Sequence, residues 1–356
     1  MPSRLQRWHN ATAPPETGTT NVARIFEVAV KSDDQLVFYD PGVGTMGARV
    51  AITPLARRLT QIAGLVVGYG IKDNIEEAYG FLADHWQPGD RIYLFGFSRG
   101  AYTARALSGM LRTVGLLRPG AGNLTPYALK LYAKKGDVKP SEAEEQKFWR
   151  VRREFANQFG NPAFPNPFDK SRHQVHFLGV WDTVKSVGWL NWKARFEQAR
   201  WPFTAKISNV ATARHAMAID ERRRPFPVYR FDPDLVAASA GRLQEVWFAG
   251  VHSDVGGQFE EHKLSDLAFD WMVREAETAG LVVEAKAYKR LLGVSFDAAL
   301  PADLALGEIH RNPGTWALAW GWKKRGILPG DTLHPSAQRR VEATRGTATA
   351  YAPRLH

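Results

Sequence analysis

The sequence predicts an α/β fold in which a mostly parallel sheet carries helices on both faces. Three short apolar runs bounded by turn residues predict buried strands, namely RIYLFGF (91–97), QVHFLGVWD (174–182) and LQEVWFAGVH (243–252). Segments with helical periodicity separate these runs, and strands that alternate with helices form parallel sheets. Each run leads into small or polar residues at its carboxyl end, where open parallel sheets bind their ligands.

The elements before the first of these runs are a helix, a strand and a second helix. TNVARIFEVAV (20–30) predicts a short helix capped by Thr20 or Asn21, and DQLVFYDPGVGT (34–45) predicts a strand that ends in a Pro-Gly turn. In the segment 71–86, apolar residues recur at helical spacing, and Pro88-Gly89-Asp90 ends that helix.

The remaining elements lie after residue 98. A helix is predicted from about residue 99 to 116, and RHAMAIDERRRPF (214–226) predicts a helix followed by a basic stop. The polar residues His215, Asp220 and Glu221 in that segment indicate a structural network. Residues 119–172 are charged and helical in character, with an amphipathic helix in EAEEQKFWRVRREFANQFG, and we expect an insertion or lid within a single domain spanning 1–356.

The composition limits the chemistry and the location of the protein. The chain has 356 residues, of which 44% are hydrophobic, and it contains no cysteine. Disulfides, thiolate metal sites and cysteine nucleophiles are therefore excluded. No run of about 18 apolar residues predicts a membrane span, and the start MPSRLQRWHN lacks the apolar run of a secretory signal. We expect a cytoplasmic protein or one delivered by a route other than Sec.

The chain is basic, with 47 Lys and Arg residues against 36 Asp and Glu and a formal net charge of +11. Such a charge attracts phosphate-bearing surfaces such as lipid headgroups or nucleic acid, and a local excess lies in residues 193–230. A solvated surface also explains the excess. Zinc-finger spacing, RNP-like strings and recognition-helix signatures are absent from the sequence, so we expect no nucleic-acid partner.

The segment Gly96-Phe97-Ser98-Arg99-Gly100 fits a nucleophile elbow. In that motif the serine occupies a strained turn from strand to helix, and both glycines are expected because side chains there would collide. The backbone N–H of Arg99 would then donate to the developing oxyanion. A second donor is expected from the segment 39–45 or from the polar start of the chain. The alternative is that Ser98 is only a small residue in a tight connection.

A serine nucleophile needs a base and an acid. His252 lies at the end of the run LQEVWFAGVH and opens a glycine-rich loop, and Asp182 lies at the end of the run QVHFLGVWD. The chain order Ser98, Asp182, His252 is that of α/β-hydrolases. Asp254 is the alternative acid and His334 the alternative base.

A rival motif lies at 42–47, where GVGTMG matches the dinucleotide-binding pattern. The next strand-like run, GLVVGYG (64–70), ends in glycine instead of the acid that would bind a ribose, and Pro41 sits in the turn. We therefore interpret the segment as a glycine-rich loop beside the active site, and we expect neither a cofactor nor a metal.

Seven blocks spread along the chain resemble one family. They are TNVARI, YDPGVGT, GFSRGAYTARALSGML, GVWDTV, RHAMAIDERRRPF, VWFAGVHSDVGG and LHPSAQRR, and they resemble the uncharacterised α/β-hydrolase domain family that includes the first class of type VI secretion lipase effectors. The resemblance implies an α/β-hydrolase fold with Ser98 as nucleophile, Asp182 as acid and His252 as base. It also implies phospholipase A-type ester hydrolysis, a lipid or ester substrate, contact with a membrane surface, and an immunity or secretion partner.

The start of the chain departs from this family pattern. Family members begin with an apolar strand that leads into an Asp-Gly-Thr-Trp-like turn, whereas here only Trp8 resembles that turn. We expect either that the start codon has been placed too far downstream or that a strand of the sheet has been lost. Loss of the strand would remove an oxyanion donor. The alternative hypothesis is therefore a catalytically impaired binding protein that keeps the hydrolase fold.

Overall fold

The computed structural model describes residues 19–40, 71–133, 141–169, 171–184, 201–312 and 321–353. In these residues five strands form one parallel sheet in the order β1-β2-β3-β4-β5. The strands are β1 Tyr93–Phe97, β2 Val175–Trp181, β3 Val210–Ala218, β4 Leu243–Phe248 and β5 Thr332–Leu333. The predicted α/β fold with a mostly parallel sheet is confirmed.

The helices of the described residues precede, connect and follow these strands. They are α1 Asn21–Val28, α2 Ile71–His85, α3 Arg99–Val114, α4 Thr125–Tyr132, α5 Glu142–Phe159, α6 Pro233–Ala237, α7 His252–Gly256, α8 Lys263–Thr278, α9 Ala285–Leu292 and α10 Pro335–Thr344, with short 3-10 turns at Gly122–Leu124 and Ala302–Leu306. Thr20 caps α1 by accepting the N–H of Ala23, as predicted. The helix predicted within 71–86 is confirmed as α2.

The core lies on both faces of the sheet. Leu178 and Val180 of β2 belong to an apolar cluster with α2, α3 and α4. Phe177 and Trp181 of the same strand belong to a second cluster with α1, α8 and α9. Side chains of a strand alternate between faces, so β2 is covered by helices on both sides. This double cover explains why its sequence is almost continuously apolar.

The strand predicted over 34–45 is wrong for the residues that the structure describes. Residues 36–40 have no regular secondary structure, and Leu36 and Phe38 are each 41% exposed. The side chain of Gln35 bonds to the backbone of Val30 and Val282, and no strand ladder forms here. The Pro-Gly turn and the 42–47 motif lie outside the described residues, as does the start of the chain with Trp8.

The helix predicted at the start of 214–226 is also wrong. Residues 214–218 belong to β3, which pairs with β2 on one side and β4 on the other. The segment is rich in alanine, which favours a helix in isolation, but pairing on both edges overrides this local preference.

The amphipathic helix predicted within 119–172 is confirmed as α5. Its N-terminus is a capping box in which Ser141 and Glu144 bond reciprocally. The role of 119–172 as a lid stays a prediction. Within the described residues, no helix combines the length and the apolar character that crossing a membrane requires.

Candidate active site

Ser98 lies between the last residue of β1 and the first residue of α3. Its backbone has φ 58°, a left-handed conformation that is uncommon for a residue with a side chain, and its N–H donates to the carbonyl of Trp181 at 3.1 Å. Strain of this kind is found at functional sites where the surrounding structure maintains it. The side chain is partly exposed at the carboxyl edge of the sheet.

The two glycines that flank this turn differ in what they do. A Cβ on Gly96 would lie 2.4 Å from the carbonyl oxygen of Gly100 and 2.6 Å from the Cα of Ala101, so only glycine lets α3 pack this closely on β1. The collision predicted for Gly100 does not occur. Among the described residues, a Cβ on Gly100 would meet nothing within 4 Å, because this residue faces outward on the first turn of α3.

His252 begins α7, four residues beyond the last residue of β4, and is 4% exposed. Its Nε2 lies 2.9 Å from the Oγ of Ser98. The ring of Phe97 packs on the imidazole at a centroid distance of 4.6 Å, and Phe226 contacts it edge-on at 5.3 Å. Burial among these rings lowers the pKa of His252 although Asp182 opposes the shift, so the imidazole is neutral at neutral pH.

Asp182 follows β2 directly and is fully buried with φ 35°. Its Oδ2 lies 2.6 Å from the Nδ1 of His252, which fixes the tautomer that donates from Nδ1 and accepts at Nε2. Its Oδ1 accepts the N–H of Ala218 at 3.0 Å. Burial alone would raise the pKa of Asp182, but the Arg325 guanidinium and His252 hold it well below its usual value.

Arg325 is a residue of this site that sequence reasoning missed. Its Nη1 donates to the Oδ1 of Asp182 at 2.6 Å, and its Nη2 donates to Oδ2 at 3.0 Å. The same two nitrogens also donate to the backbone carbonyls of Ala218 and Phe226, each at 2.8 Å. Arg325 is one of 47 basic residues and belongs to no motif, so the sequence carries no signal that would have marked it.

Two further carboxylates support the loops that carry the site. Glu221 accepts the backbone N–H of His252 at 3.2 Å and pairs with Arg223 at 2.8 Å. Glu245 bonds to the Nδ1 of His215 at 3.0 Å, and the Nε2 of that histidine accepts the N–H of Thr183 at 3.1 Å. The polar residues of the 214–226 segment thus sit behind the site, in hydrogen-bonded networks.

The alternative residues lie elsewhere. Asp254 accepts the backbone N–H of Val251 at 2.8 Å and bonds to the Nδ1 of His310 at 2.6 Å. His334 caps α10 through Ser336 and stacks on the ring of Phe248 at a centroid distance of 4.3 Å. In the described part of the chain, the structure joins neither of them to Ser98 by a hydrogen bond. It brings together Ser98, His252 and Asp182.

The remaining expectations concern the oxyanion and bound groups. Arg99 is the first residue of α3, a helix of 16 residues whose N-terminus carries a partial positive charge beside Ser98. Of the segments expected to supply a second donor, the start of the chain (1–18) and all of 39–45 after residue 40 lie outside the described residues. Among the described residues, no group of three or more His, Asp and Glu side chains is gathered in a way that could hold a metal ion.

Comparison with protein families gives one match over most of the chain. The model of the type VI secretion phospholipase effector Tle1-like catalytic domain matches residues 7–275. This range contains Ser98, Asp182 and His252, whereas Arg325 lies beyond it.

Individual relatives are more distant. The uncharacterized protein YEL023C of Saccharomyces cerevisiae (strain ATCC 204508 / S288c) is 32% identical over 222 residues, which are 60% of this chain and 30% of the yeast protein. A solved structure of the Tle1 effector bound to the VgrG spike of the type 6 secretion system aligns at 17% identity and a TM-score of 0.34, over 68% of this chain and 41% of that one. A crystal structure of an uncharacterized protein from Pseudomonas aeruginosa aligns at 17% identity and a TM-score of 0.36, over 76% and 44% of the two chains. The chain thus spans less than half the length of each of these proteins.

Proposed function

The chain belongs to the family of type VI secretion phospholipase effectors with a Tle1-like catalytic domain, and from this membership we propose that it is a serine ester hydrolase that acts on phospholipids. One observation carries the proposal. Ser98 Oγ, His252 and Asp182 form an unbroken hydrogen-bonded chain, with distances of 2.9 Å to Nε2 and 2.6 Å from Nδ1. A nucleophile, a base and an orienting acid in this geometry are what acyl transfer requires.

In the first half of the reaction, Ser98 Oγ attacks the ester carbonyl carbon while Nε2 of neutral His252 accepts the serine proton. The imidazolium that forms keeps its Nδ1–H on Asp182, whose ionised carboxylate stabilises the new cation. The N-terminus of α3, beginning with the N–H of Arg99, faces the developing oxyanion. The intermediate then expels the alcohol, which takes its proton from Nε2 of His252 and leaves an acyl-serine.

In the second half, water replaces the alcohol. His252 accepts a proton from the water as its oxygen attacks the acyl carbon, and the same proton returns to Ser98 Oγ when the serine is released with a free fatty acid. Both halves need a neutral His252 at the start. The lowered pKa of His252, caused by burial, supports activity that is already at its plateau at neutral pH.

The substrate of a phospholipase lies in a bilayer, and we propose a surface that contacts it. Arg222, Arg224, Lys323 and Lys324 are exposed, and Trp322 is 42% exposed. Backbone pairing between residues 222–224 and 321–323 places Trp322 opposite Arg223, so the exposed Arg222, Arg224 and Lys323 share the other face and form one basic ridge. Clustered cations suit the headgroup region of an anionic bilayer.

The basic ridge is testable with vesicles. Each cation near an anionic surface contributes about 1 kcal/mol, so the triple variant Arg222→Gln, Arg224→Gln, Lys323→Gln should bind phosphatidylglycerol vesicles roughly 100-fold more weakly. Cosedimentation with phosphatidylcholine vesicles and hydrolysis of a soluble short-chain ester should not change. Equal binding of the variant and the wild type to phosphatidylglycerol would remove the ridge from the proposal.

Delivery follows from the family as a proposal. Effectors of type VI secretion are carried out of the producing cell by that system, so we propose a secretion partner and an immunity protein that protects the producer. Copurification of the tagged chain from a cell that carries its own secretion genes, followed by identification of the bound proteins, tests both partners. Recovery of the chain alone would speak against both.

The catalytic proposal is tested with a fluorophosphonate probe and with phospholipid hydrolysis. Wild type should label, whereas Ser98→Ala and His252→Ala should not, and hydrolysis by Ser98→Ala should fall by at least roughly 10⁴-fold. Ser253→Ala is the matched control, because its Oγ bonds to Gln258 at 3.2 Å instead of an imidazole. A folded wild type that never labels would instead favour the binding protein.

A further inference from the structure

The Asp182 carboxylate is held from behind by a guanidinium. Both of its oxygens accept from Arg325, at 2.6 and 3.0 Å, and the exposed fractions of the two side chains are 0% and 6%. A planar fork that meets a carboxylate at two points fixes the plane of that carboxylate as well as its charge. Oδ2, the oxygen that faces His252, is one of the two atoms held.

We infer that Arg325 is a positioning residue of the proposed hydrolase, which keeps Asp182 ionised and keeps Oδ2 directed at the Nδ1 of His252. The inference rests on the proposed function, because it assigns a role in that reaction. Arg325 does not touch the reacting atoms and acts through Asp182. It comes from a segment beyond the range matched by the family model, which ends at residue 275.

The backbone around Arg325 is itself fixed. The N–H of Lys323 donates to the carbonyl of Arg222 at 2.7 Å, and Ile327 is 2% exposed in an apolar cluster with Trp247. The two Arg325 bonds to the carbonyls of Ala218 and Phe226 complete the frame. The guanidinium therefore links the end of β3 and the loop at residue 226 to the acid of the site.

Removing the guanidinium would leave a buried carboxylate whose remaining hydrogen bonds to the described residues are those with the N–H of Ala218 and the imidazole of His252. A buried charge without its cation is costly, and it lowers that cost by taking up a proton or by rotating towards another donor. Either change weakens the hold on His252. The positive charge also reduces the negative field of Asp182 at the imidazole, so its loss lets the Asp182-His252 pair bind a proton at higher pH.

Other titratable groups also face the Asp182-His252 pair and contribute to its protonation. Among the described residues, Glu221 and Arg223 face His252 with opposite charges, and His215 lies behind Asp182 on β3. His215 is fully buried with its pKa lowered by burial, so it stays neutral near pH 7. None of these groups is altered by a substitution at residue 325.

The experiment compares Arg325→Gln and Arg325→Lys with a matched control, Arg24→Gln. Arg24 donates to Asp266 at 2.6 Å, and the exposed fractions of these side chains are 6% and 7%, so this pair is as short as the pair at the site and also buried. It lies between α1 and α8 and has no bond to Ser98, His252 or Asp182. The measurements are kcat and KM against pH, the thermal midpoint, and the titration of His252 by NMR.

We expect Arg325→Gln to lower kcat roughly 100-fold with little change in KM, and to move the acidic limb of the profile to higher pH by about one unit. Arg325→Lys keeps the charge and loses the fork, so its acidic limb should stay near that of the wild type while kcat falls about tenfold. Arg24→Gln should lower the thermal midpoint and leave the profile unchanged.

The inference is overturned if Arg325→Gln folds and keeps the kcat and acidic limb of the wild type, or if Arg24→Gln moves the limb as far. Should Arg325→Gln fail to fold, Arg325→Lys decides: a kcat equal to that of the wild type removes the fork from the mechanism. The NMR titration needs no turnover. A wild type without any labelling at Ser98 contradicts the proposed function instead, and the two failures are thus distinguishable.

Discussion

Alanine substitutions at the two glycines around Ser98 are expected to change the stability of the fold in opposite directions. Gly96→Ala places a methyl group 2.4 Å from the carbonyl oxygen of Gly100, whereas Gly100→Ala places one on the first turn of α3, where no atom of the described residues lies within 4 Å. The three atoms nearest to the first methyl group, the carbonyl oxygen and carbon of Gly100 and the Cα of Ala101, all belong to the backbone, so no side-chain rotation relieves the contact. The elbow motif alone treats the two glycines as equivalent.

The magnitudes follow from these distances. A relaxed carbon contact needs about 3.4 Å or more, so in Gly96→Ala the start of α3 has to move by about 1 Å away from β1. Overpacking of this kind costs about 3 kcal/mol, near the upper end of what such substitutions cost. Gly100→Ala fixes a helical residue without strain and should stabilise the fold by about 0.5 to 1 kcal/mol. The difference between the two variants is therefore close to 4 kcal/mol.

Activity reports the same displacement. Ser98 lies at the start of α3 and is 2.9 Å from His252, so a shift of about 1 Å should slow fluorophosphonate labelling of Gly96→Ala roughly 100-fold. Gly100→Ala should label at the rate of the wild type. Free energies of unfolding come from urea titration followed by circular dichroism. The reasoning fails if Gly96→Ala is within 1 kcal/mol of the wild type, or if Gly100→Ala is the more damaging change.

Three further substitutions test the packing around the sheet. Tyr79→Phe removes a buried hydroxyl that makes two backbone hydrogen bonds, at 2.9 and 3.0 Å, and should cost about 1 to 3 kcal/mol in urea unfolding; a neutral effect would contradict that role. Arg105→Met removes a fully buried cation that donates to three backbone carbonyls, and should lower the free energy of unfolding by at least about 3 kcal/mol. A variant with the stability of the wild type would show that apolar packing suffices there. Burial lowers the pKa of His334 to about 4, so its neutral form contributes stability that is present above pH 6.5 and is lost as the pH falls towards 4. The free energies of unfolding at pH 7 and pH 5 should therefore differ less in His334→Gln than in the wild type. An equal difference in the two proteins would refute this account.

The parts of the fold that could be predicted from the sequence are those where local signals and tertiary structure agree. β1, β2 and β4 are apolar runs bounded by turns, and α2 and α5 have clear helical periodicity and termini. β3 could not be predicted in this way. Its alanines favour a helix locally, and only the strands on both sides of it make it extended, a contact that no local window contains.

The segment 34–40 failed for the opposite reason. Its apolar residues form a short run bounded by polar residues, as in a strand, but Leu36 and Phe38 remain 41% exposed, and backbone groups nearby bond to the side chain of Gln35. An apolar run predicts what a segment could bury, and it does not show whether a pairing strand is present. The same limit applies to Arg325, since its contact with the site is a hydrogen bond to a carboxylate 143 residues away in the chain.

The convergence of Ser98, Asp182 and His252 follows from the register of the sheet. Phe97 pairs with Trp181, and Trp181 pairs with Ala216, so the residues that follow β1 and β2 come out at the same level of the carboxyl edge. The backbone ladder continues past the strands. The backbone N–H of Ser98 donates to the carbonyl of Trp181 at 3.1 Å, and the backbone N–H of Asp182 donates to the carbonyl of Ala216 at 2.7 Å. Strand ends can therefore be read from sequence as candidate positions.

The register of the sheet does not determine the final orientation of each side chain. Ser98 and Asp182 both have positive φ, which points their side chains out of the direction that a continuing strand would give them. Each of these conformations is maintained by contacts from outside the sheet: α3 packed on Gly96 in the first case, Arg325 in the second. The proposed site at the edge of the parallel sheet thus depends on two kinds of information. The strands place the residues, and distant segments fix their geometry.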